Sequence, residues 1–324
     1  ATPYFNQLAD KSLAMPWTEW WFIPTLMGAA ILVGVLAGLY PAFYLSGFKP
    51  IDVLKGSLSR GSKSSRMRSV MVIFQFTTSI VLIIGTFIIY HQMQYILNKK
   101  IGFDKEQVVL IQGANTLGDR VKTLKTELAS LAGVQNAAIS GYLPISGTKR
   151  DGNPFWKEGK SKEDKSVGAQ RWYVDSDYIG TLGMTLVDGR NFVEGMASDS
   201  SSIIVNQAFV KEFGFENPVG ERIQNWKPYT IIGVVEDFHF ESLKGKIEPL
   251  TMVYGEWGDV VSVKVSSSNV KEVIASINGV WDKFAPNQPM RYAFLDESYA
   301  RMYEDVQTMG RVFTTFATLA ILVA

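Results

Sequence analysis

Residues 20–45 read WWFIPTLMGAAILVGVLAGLYPAFYL, and no Asp, Glu, Lys or Arg occurs between Glu19 and Lys49. As a helix, this stretch is long enough to cross a bilayer core of about 30 Å. Working outward, the same silence recurs between Arg68 and Lys99, where residues 70–90 read VMVIFQFTTSIVLIIGTFIIY, and again from Val312 to Ala324. A buried helix of a soluble core is the alternative for the first stretch, but such helices rarely run so long without a charge. Gly28, Gly34 and Gly38 among Ala29, Ala30 and Ala37 suit close helix packing in lipid. Trp17, Trp20 and Trp21 form an aromatic belt at one end, and Tyr40 and Tyr44 lie near the other. Pro24 falls in the first turn, where its missing N–H costs little. In the second stretch Gln75, Thr77, Thr78 and Ser79 are polar. Helix–helix hydrogen bonding explains them better than a transport path does.

Between the first two stretches lies a short loop carrying Lys49, Lys55, Arg60, Lys63, Arg66 and Arg68 against the single acid Asp52. Short basic loops stay in the cytoplasm. The organisation expected is an exported loop over 1–19, a membrane helix over 20–45, a basic cytoplasmic linker over 46–68 and a second membrane helix over 69–91. An exported domain with stalk helices follows over 92–306. The start of a further membrane helix over 308–324 is cut off by the end of the chain, so the sequence reads as a fragment. No signal peptide is recognisable at the first residues. A net charge of +1 offers no general argument for nucleic acid, and the absence of cysteine excludes disulfides and zinc-thiolate centres.

The polar stretch alternates strand and helix patterns. Residues 107–112 (QVVLIQ) predict a strand, 120–132 an amphipathic helix with Leu124, Leu128 and Leu131 on one face, and 134–141 a strand. Later, 250–254 and 260–265 predict strands, 270–284 a helix and 291–295 a strand. This is βαβ, a long insertion over about 146–248, then ββαβ. The fold class is therefore membrane α-helices plus an α+β exported domain, with a ferredoxin-like βαβ lobe and an inserted strand-rich lobe. Within the insertion, residues 146–168 predict a mobile loop, 169–174, 202–205 and 229–235 strands, and 208–213 a short helix closed by Gly214. Met93, Ile96 and Leu97 keep helical spacing beyond the second membrane helix, as do Tyr299, Met302, Tyr303 and Val306 before the third. Met93, Ile96, Leu97, Met302 and Val306 are expected to pack between two stalks and carry coupling.

Catalytic constellations are missing. Gly159-Lys160-Ser161 fails as a phosphate loop, because Pro154 stands where the earlier glycine is required. Asp237, His239 and Glu241 alternate and could share one side of an extended strand, a weak metal site at best beside Phe238 and Phe240. There is no G-x-S-x-G elbow and no Cys nucleophile. An enzyme is not expected, and no cofactor is expected on this chain.

One stretch is specific. Ile203 to Pro249 reads IIVNQAFVKEFGFENPVGERIQNWKPYTIIGVVEDFHFESLKGKIEP. Its Asn206, Gly214, Pro218, Gly220, Gly233, Asp237, Phe238 and Pro249, with Tyr178, Gly183, Met184, Gly189, Arg190 and Phe192 upstream, resemble the periplasmic domain of MacB-like ABC transporter permeases. The DFHF form is similar to a subgroup common in Bacteroidota. Gly38-Leu39-Tyr40-Pro41-Ala42, Pro50 and Leu54 resemble the end of an FtsX-like permease module. These motifs are turns and strand positions, so they specify fold. The resemblance implies a permease subunit in the bacterial inner membrane, paired with a second permease module or dimer mate. A separate cytoplasmic ABC ATPase would bind the ATP and move the exported domain by mechanotransmission to export a substrate. Membrane lipid and a periplasmic adaptor or outer-membrane protein are further partners it implies, and nucleic acid is not. A membrane-anchored sensor relaying a periplasmic signal through stalk helices is the alternative.

The positive loop fixes a topology that labelling can check. A cysteine replacing Ser62 should resist a membrane-impermeant maleimide in intact cells, and one replacing Ser161 should react. The reverse pattern would invert the orientation and remove the transporter reading.

Overall fold

A computed structural model describes residues 6, 14, 16–46, 62–145, 150–160, 165–243, 245–266 and 269–323. Most of the expected exported loop and of the basic linker lies outside the described residues. The chain forms two compact units, residues 1–94 with 305–324, and residues 95–304.

In the first unit, helix α1 spans Phe22–Ser46 and helix α2 spans Ser62–Asn98. Among the described residues, Phe22–Leu39 and Ser69–Asn98 are the stretches long and apolar enough to cross a membrane. Ile31, Leu36, Val70, Phe74 and Phe87 are all largely exposed, the reverse of a soluble core helix. Thr78 and Ser79 donate to the carbonyls of Phe74 and Gln75 in their own helix. The last helix, Glu304–Val323, pairs with α2 here. A Cβ on Gly85 would come within 3.1 Å of Phe313, and one on Gly310 within 3.2 Å of Ile89. Glycine at both places lets the helices approach closely.

The second unit begins with strand β1, Val108–Gln112, then helix α3, Arg120–Ala129, and strand β2, Val134–Ser140. Its last part holds β10, Val260–Val265, helix α6, Val270–Phe284, β11, Arg291–Phe294, and helix α7, Leu295–Arg301, with the final helix numbered α8. These four strands lie in the order β11-β1-β10-β2 and every neighbouring pair is antiparallel. Val121, Leu124 and Leu128 of α3 and Val273, Ile277, Val280 and Trp281 of α6 fall at helical spacing. They cover one face of the sheet, where Val109, Ile111, Ala137, Ile139, Val261 and Val263 point. The opposite face is buried too, so Val108 to Ile111 reads as one apolar run rather than an alternation.

Between β2 and β10 lie β3, Gly152–Lys157, β4, Ser166–Val174, helix α4, Tyr178–Thr181, β5, Leu186–Gly189, and β6, Ser202–Asn206. Helix α5, Gln207–Phe213, β7, Arg222–Gln224, β8, Pro228–Val235, and β9, Leu250–Tyr254, complete it. Their pairings run β4-β3-β7-β8-β6-β9 and return from β9 to β4, so six strands close into a ring. Phe155, Val167, Ile203, Val205, Ile223, Tyr229 and Ile231 fill it, with Phe209 and Phe213 of α5. A closed barrel leaves few free edges.

Two expectations are corrected. Residues 146–168 were predicted to be a loop, yet β3 lies within them and pairs with β4. Pro154 and Gly152 hide the strand pattern, and Phe155 is its one fully buried side chain. Leu250–Tyr254 was predicted to belong with β10 in the base. It pairs instead with β4 and β6, so the base is βαβ followed by βαβ, and the barrel takes β9.

The segment between β5 and β6 holds an ion pair of a buried carboxylate, Asp199, and a half-exposed guanidinium, Arg190. Arg190 donates to both oxygens of Asp199, at 3.1 and 2.6 Å, and Val193 N–H adds a 2.8 Å bond. Burial opposes ionisation of Asp199, but these donors outweigh it and hold its carboxyl below the usual range. A depressed carboxylate adds stability above its unfolded pKa, lost as pH falls through the folded one. Arg190→Met should therefore cost about 2 kcal/mol at pH 7, given the half-exposed arginine. In thermal melts of residues 95–304 that is roughly 4–8 °C, and the gap should close below about pH 4. A gap independent of pH would show that packing, not charge, is lost.

Candidate functional site

Three of the motif residues, Asn206, Asp237 and Gly214, hold helix α5 where it follows β6. Asn206, fully buried, is the N-cap of α5. Its Oδ1 accepts from Phe209 N–H at 3.0 Å and from Leu250 N–H at 2.9 Å, while its Nδ2 donates to the Glu248 carbonyl at 2.9 Å. One amide thus ties the start of α5 to the start of β9. Asp237 adds a second tie. Its Oδ1 accepts from Ala208 N–H at 2.7 Å, and its own N–H donates to Gln207 Oε1 at 3.1 Å. Burial raises the Asp237 carboxyl above its usual range, with the Ala208 N–H and His239 working against it. Gly214 ends α5 in the left-handed region at φ 79°, its N–H returning to the Val210 carbonyl at 2.9 Å.

Gly233 sits at a bulge. Ile203 faces Ile231 and Ile204 faces Gly233, so Ile232 is the extra residue. A Cβ on Gly233 would lie 2.5 Å from the Arg190 carbonyl oxygen. Gly220, at φ 93°, follows the buried Pro218 and donates to the Ile231 carbonyl at 2.8 Å. The Pro249 carbonyl accepts from Gln170 N–H at 3.0 Å, beside the start of β9.

Residues 236–239 are not a strand, contrary to the alternation read at Asp237, His239 and Glu241. The segment instead crosses the molecule with its aromatic rings inward. Phe238 and Phe240 pack on Trp172 of β4, with centroids 5.9 and 5.3 Å apart. His239 donates its backbone N–H to the Ile101 carbonyl at 2.9 Å. Burial, then Lys99, hold its imidazole below the ordinary range. Among the described residues, no three His, Asp or Glu side chains are grouped to hold a metal. Arg150 Nη2 donates to the Phe240 carbonyl at 2.8 Å and its Nε to Glu241 Oε1 at 3.1 Å, with the guanidinium over the Phe240 ring. Sequence reasoning missed Arg150, which a single basic residue in a polar loop gives no signal to find.

The five expected stalk residues are divided between the two units. Met93 and Val306 line the same apolar groove of about 710 Å³ between α2 and α8 in the first unit. Ile96, Leu97 and Met302 belong to the second unit. There Ile96 is buried, and Leu97 offers its carbonyl to Lys105 Nζ at 2.5 Å. Lys105 also lies 4.7 Å from the centroid of Tyr299.

These side chains are committed to backbone donors and acceptors. The arrangement holds strands, helix ends and loops in register. The family model of the MacB-like periplasmic core domain matches residues 69–302, and the chain belongs to that family, the periplasmic core of MacB-like ABC transporter permeases. Among solved structures, the periplasmic region of MacB from Actinobacillus actinomycetemcomitans is 17% identical with a TM-score of 0.45, covering 62% of this chain and 94% of that one. The extracellular domain of the noncanonic ABC-type transporter YknZ from Gram-positive bacteria is 15% identical with a TM-score of 0.40, covering 53% of this chain and 86% of that one. A domain of a putative permease protein from Porphyromonas gingivalis is 14% identical with a TM-score of 0.39, covering 58% of this chain and 89% of that one. No curated protein matches the chain significantly.

The two glycines should separate by mechanism. Gly233→Ala pushes a Cβ onto a carbonyl and should destabilise residues 95–304 by roughly 2–3 kcal/mol. Gly220→Ala meets open space and only the strain of positive φ, roughly 1 kcal/mol. Urea melts of the two variants decide it, and equal losses would remove the close-approach argument.

Proposed function

We propose that this chain is part of an ABC transporter permease that works by mechanotransmission. A separate cytoplasmic ATPase binds and hydrolyses ATP, and the movement is passed along helices to the periplasmic domain, driving export of a substrate. The observation that carries this is α2. It runs without interruption for 37 residues, roughly 55 Å, against about 30 Å of bilayer core. Its surplus ends in the unit that belongs to the MacB-like family. A continuous helix transmits displacement where a flexible linker dissipates it.

In this reading α1, α2 and α8 lie in the bacterial inner membrane, residues 95–304 stand in the periplasm, and the basic linker faces the ATPase. A second permease module or a dimer mate completes the assembly, and a periplasmic adaptor or outer-membrane protein is a further partner. The base lobe is ferredoxin-like, a description supported by its strand order, β11-β1-β10-β2, with α3 and α6 on one face.

Three or four glycines inserted after Gln94 test the lever. Each costs about 1 kcal/mol of helix stability and softens the connection. In vesicles holding the permease with its ATPase, hydrolysis should persist while export is lost. Export at the parental rate would refute the lever and favour a path through the membrane helices.

A further inference from the structure

We propose that the segment Asp237–Leu243 is the rod that carries stalk movement into the barrel, with Tyr303 and Lys105 as the positioning residues that fasten it. The inference rests on the mechanotransmission reading and assigns it a physical route. On one side the segment is bonded to the chain that follows α2 and to the chain that precedes α8. His239 N–H meets the Ile101 carbonyl at 2.9 Å, three residues beyond the end of α2. Leu243 N–H meets the Tyr303 hydroxyl at 2.9 Å, immediately before α8. Gly102, at φ 88°, lets the chain after α2 lie against Phe238, since a Cβ there would fall 2.6 Å from the Phe238 Cβ.

Tyr303 is fully buried against the Tyr299 ring, with centroids 5.5 Å apart. Lys105 spans the two stalk ends. Its ammonium donates to the Leu97 carbonyl in the last turn of α2, where a cation also complements the helix dipole, and lies against the Tyr299 ring of α7. The two ends therefore cannot slide independently without breaking a charge-assisted bond or an aromatic contact.

On its other side the same segment holds the barrel. Asp237 accepts from Ala208 N–H on α5, and Phe238 and Phe240 pack on Trp172 of β4. Arg150 locks the Phe240 carbonyl to the loop before β3. Seven consecutive residues thus touch the chain after α2, the chain before α8, a barrel helix and a barrel strand. A segment pinned by both backbone and rings moves as a body, because packed side chains in the interior have few alternative arrangements.

The test uses the full permease with its ATPase in lipid vesicles, stripped of any cysteine outside these 324 residues, which contain none. One spin-label pair, on Gln92→Cys and Met309→Cys, reads the stalks. A second, on Glu216→Cys and Lys271→Cys, reads the barrel against the base. ATP should shift both distances in the parental protein. In Tyr303→Phe combined with Lys105→Met, the stalk shift should remain and the barrel shift should fall below half. Tyr303→Phe keeps the buried ring, and Lys105→Arg keeps a donor to the Leu97 carbonyl. Lys105→Arg with native Tyr303 should restore the barrel shift, which separates coupling from misfolding. An undiminished barrel shift in the double variant overturns the rod while leaving mechanotransmission standing. A parental protein whose stalks do not respond to ATP overturns both.

Discussion

The barrel closes through one strand, β9, which pairs with β4 on one edge and β6 on the other. Its first residue is placed by the Asn206 side chain, which holds Leu250 N–H and the Glu248 carbonyl while capping α5. Buried amides that satisfy several backbone groups at once are costly to lose, because every released partner stays buried. Without that tie, β9 would lose its register and the ring would open along two edges. The sheet would then expose the apolar interior lined by Phe155, Ile203 and Ile231.

The barrel and the base lobe meet through a narrow seam. β2 and β4 share a single register pair, Ser140 with Val174. The seam is reinforced by charge. Asp175, almost fully buried, accepts from Lys125 Nζ at 2.7 Å and from Ile139 N–H at 2.8 Å, and Lys125 also reaches Asp177 at 2.5 Å. Burial pushes the Asp175 carboxyl up, and Lys125 only partly offsets it. The two carboxylates outweigh the burial of Lys125 itself and hold its ammonium above the ordinary range. One lysine of α3 thereby anchors the chain that follows β4. The two lobes are thus registered to each other by few backbone bonds and by specific side-chain ties.

Much of this was legible in the residues. The two charge-free stretches fall in α1 and α2, because lipid solvent demands long runs without charge and the signal is correspondingly strong. The helices of the base were visible from spacing, since Val121, Leu124 and Leu128 must face one sheet. β3 was hidden because barrel strands are short and tolerate Pro154 and Gly152, so alternation never builds up. β9 was visible as a strand but not in its place, for a run of buried residues does not say which sheet it joins. Motif residues such as Asn206 and Asp237 stood out by resemblance. Their work as backbone ties was not legible, because their partners lie 42 and 29 positions away in the chain. Arg150 and Lys105 had no pattern at all, for an isolated cation reveals its role only through what surrounds it.

Under the proposed mechanotransmission, a domain needs stiffness along a line and freedom across it. Strand β6 and residues 108–111 of β1 are covered on both faces. Backbone pairing thins at the β2–β4 seam, which has a single register pair. Polar side chains appear there: Lys125 bridges Asp175 and Asp177, and Asp175 also accepts from Ile139 N–H. Side-chain-to-backbone ties suit this work better than added strand pairs. They are strong enough to hold a loop in place, yet each can swivel about its own χ angles when the lobes move. Glycine at 102 and 233 serves the same end by letting two backbones come within van der Waals reach, so that displacement of one displaces the other.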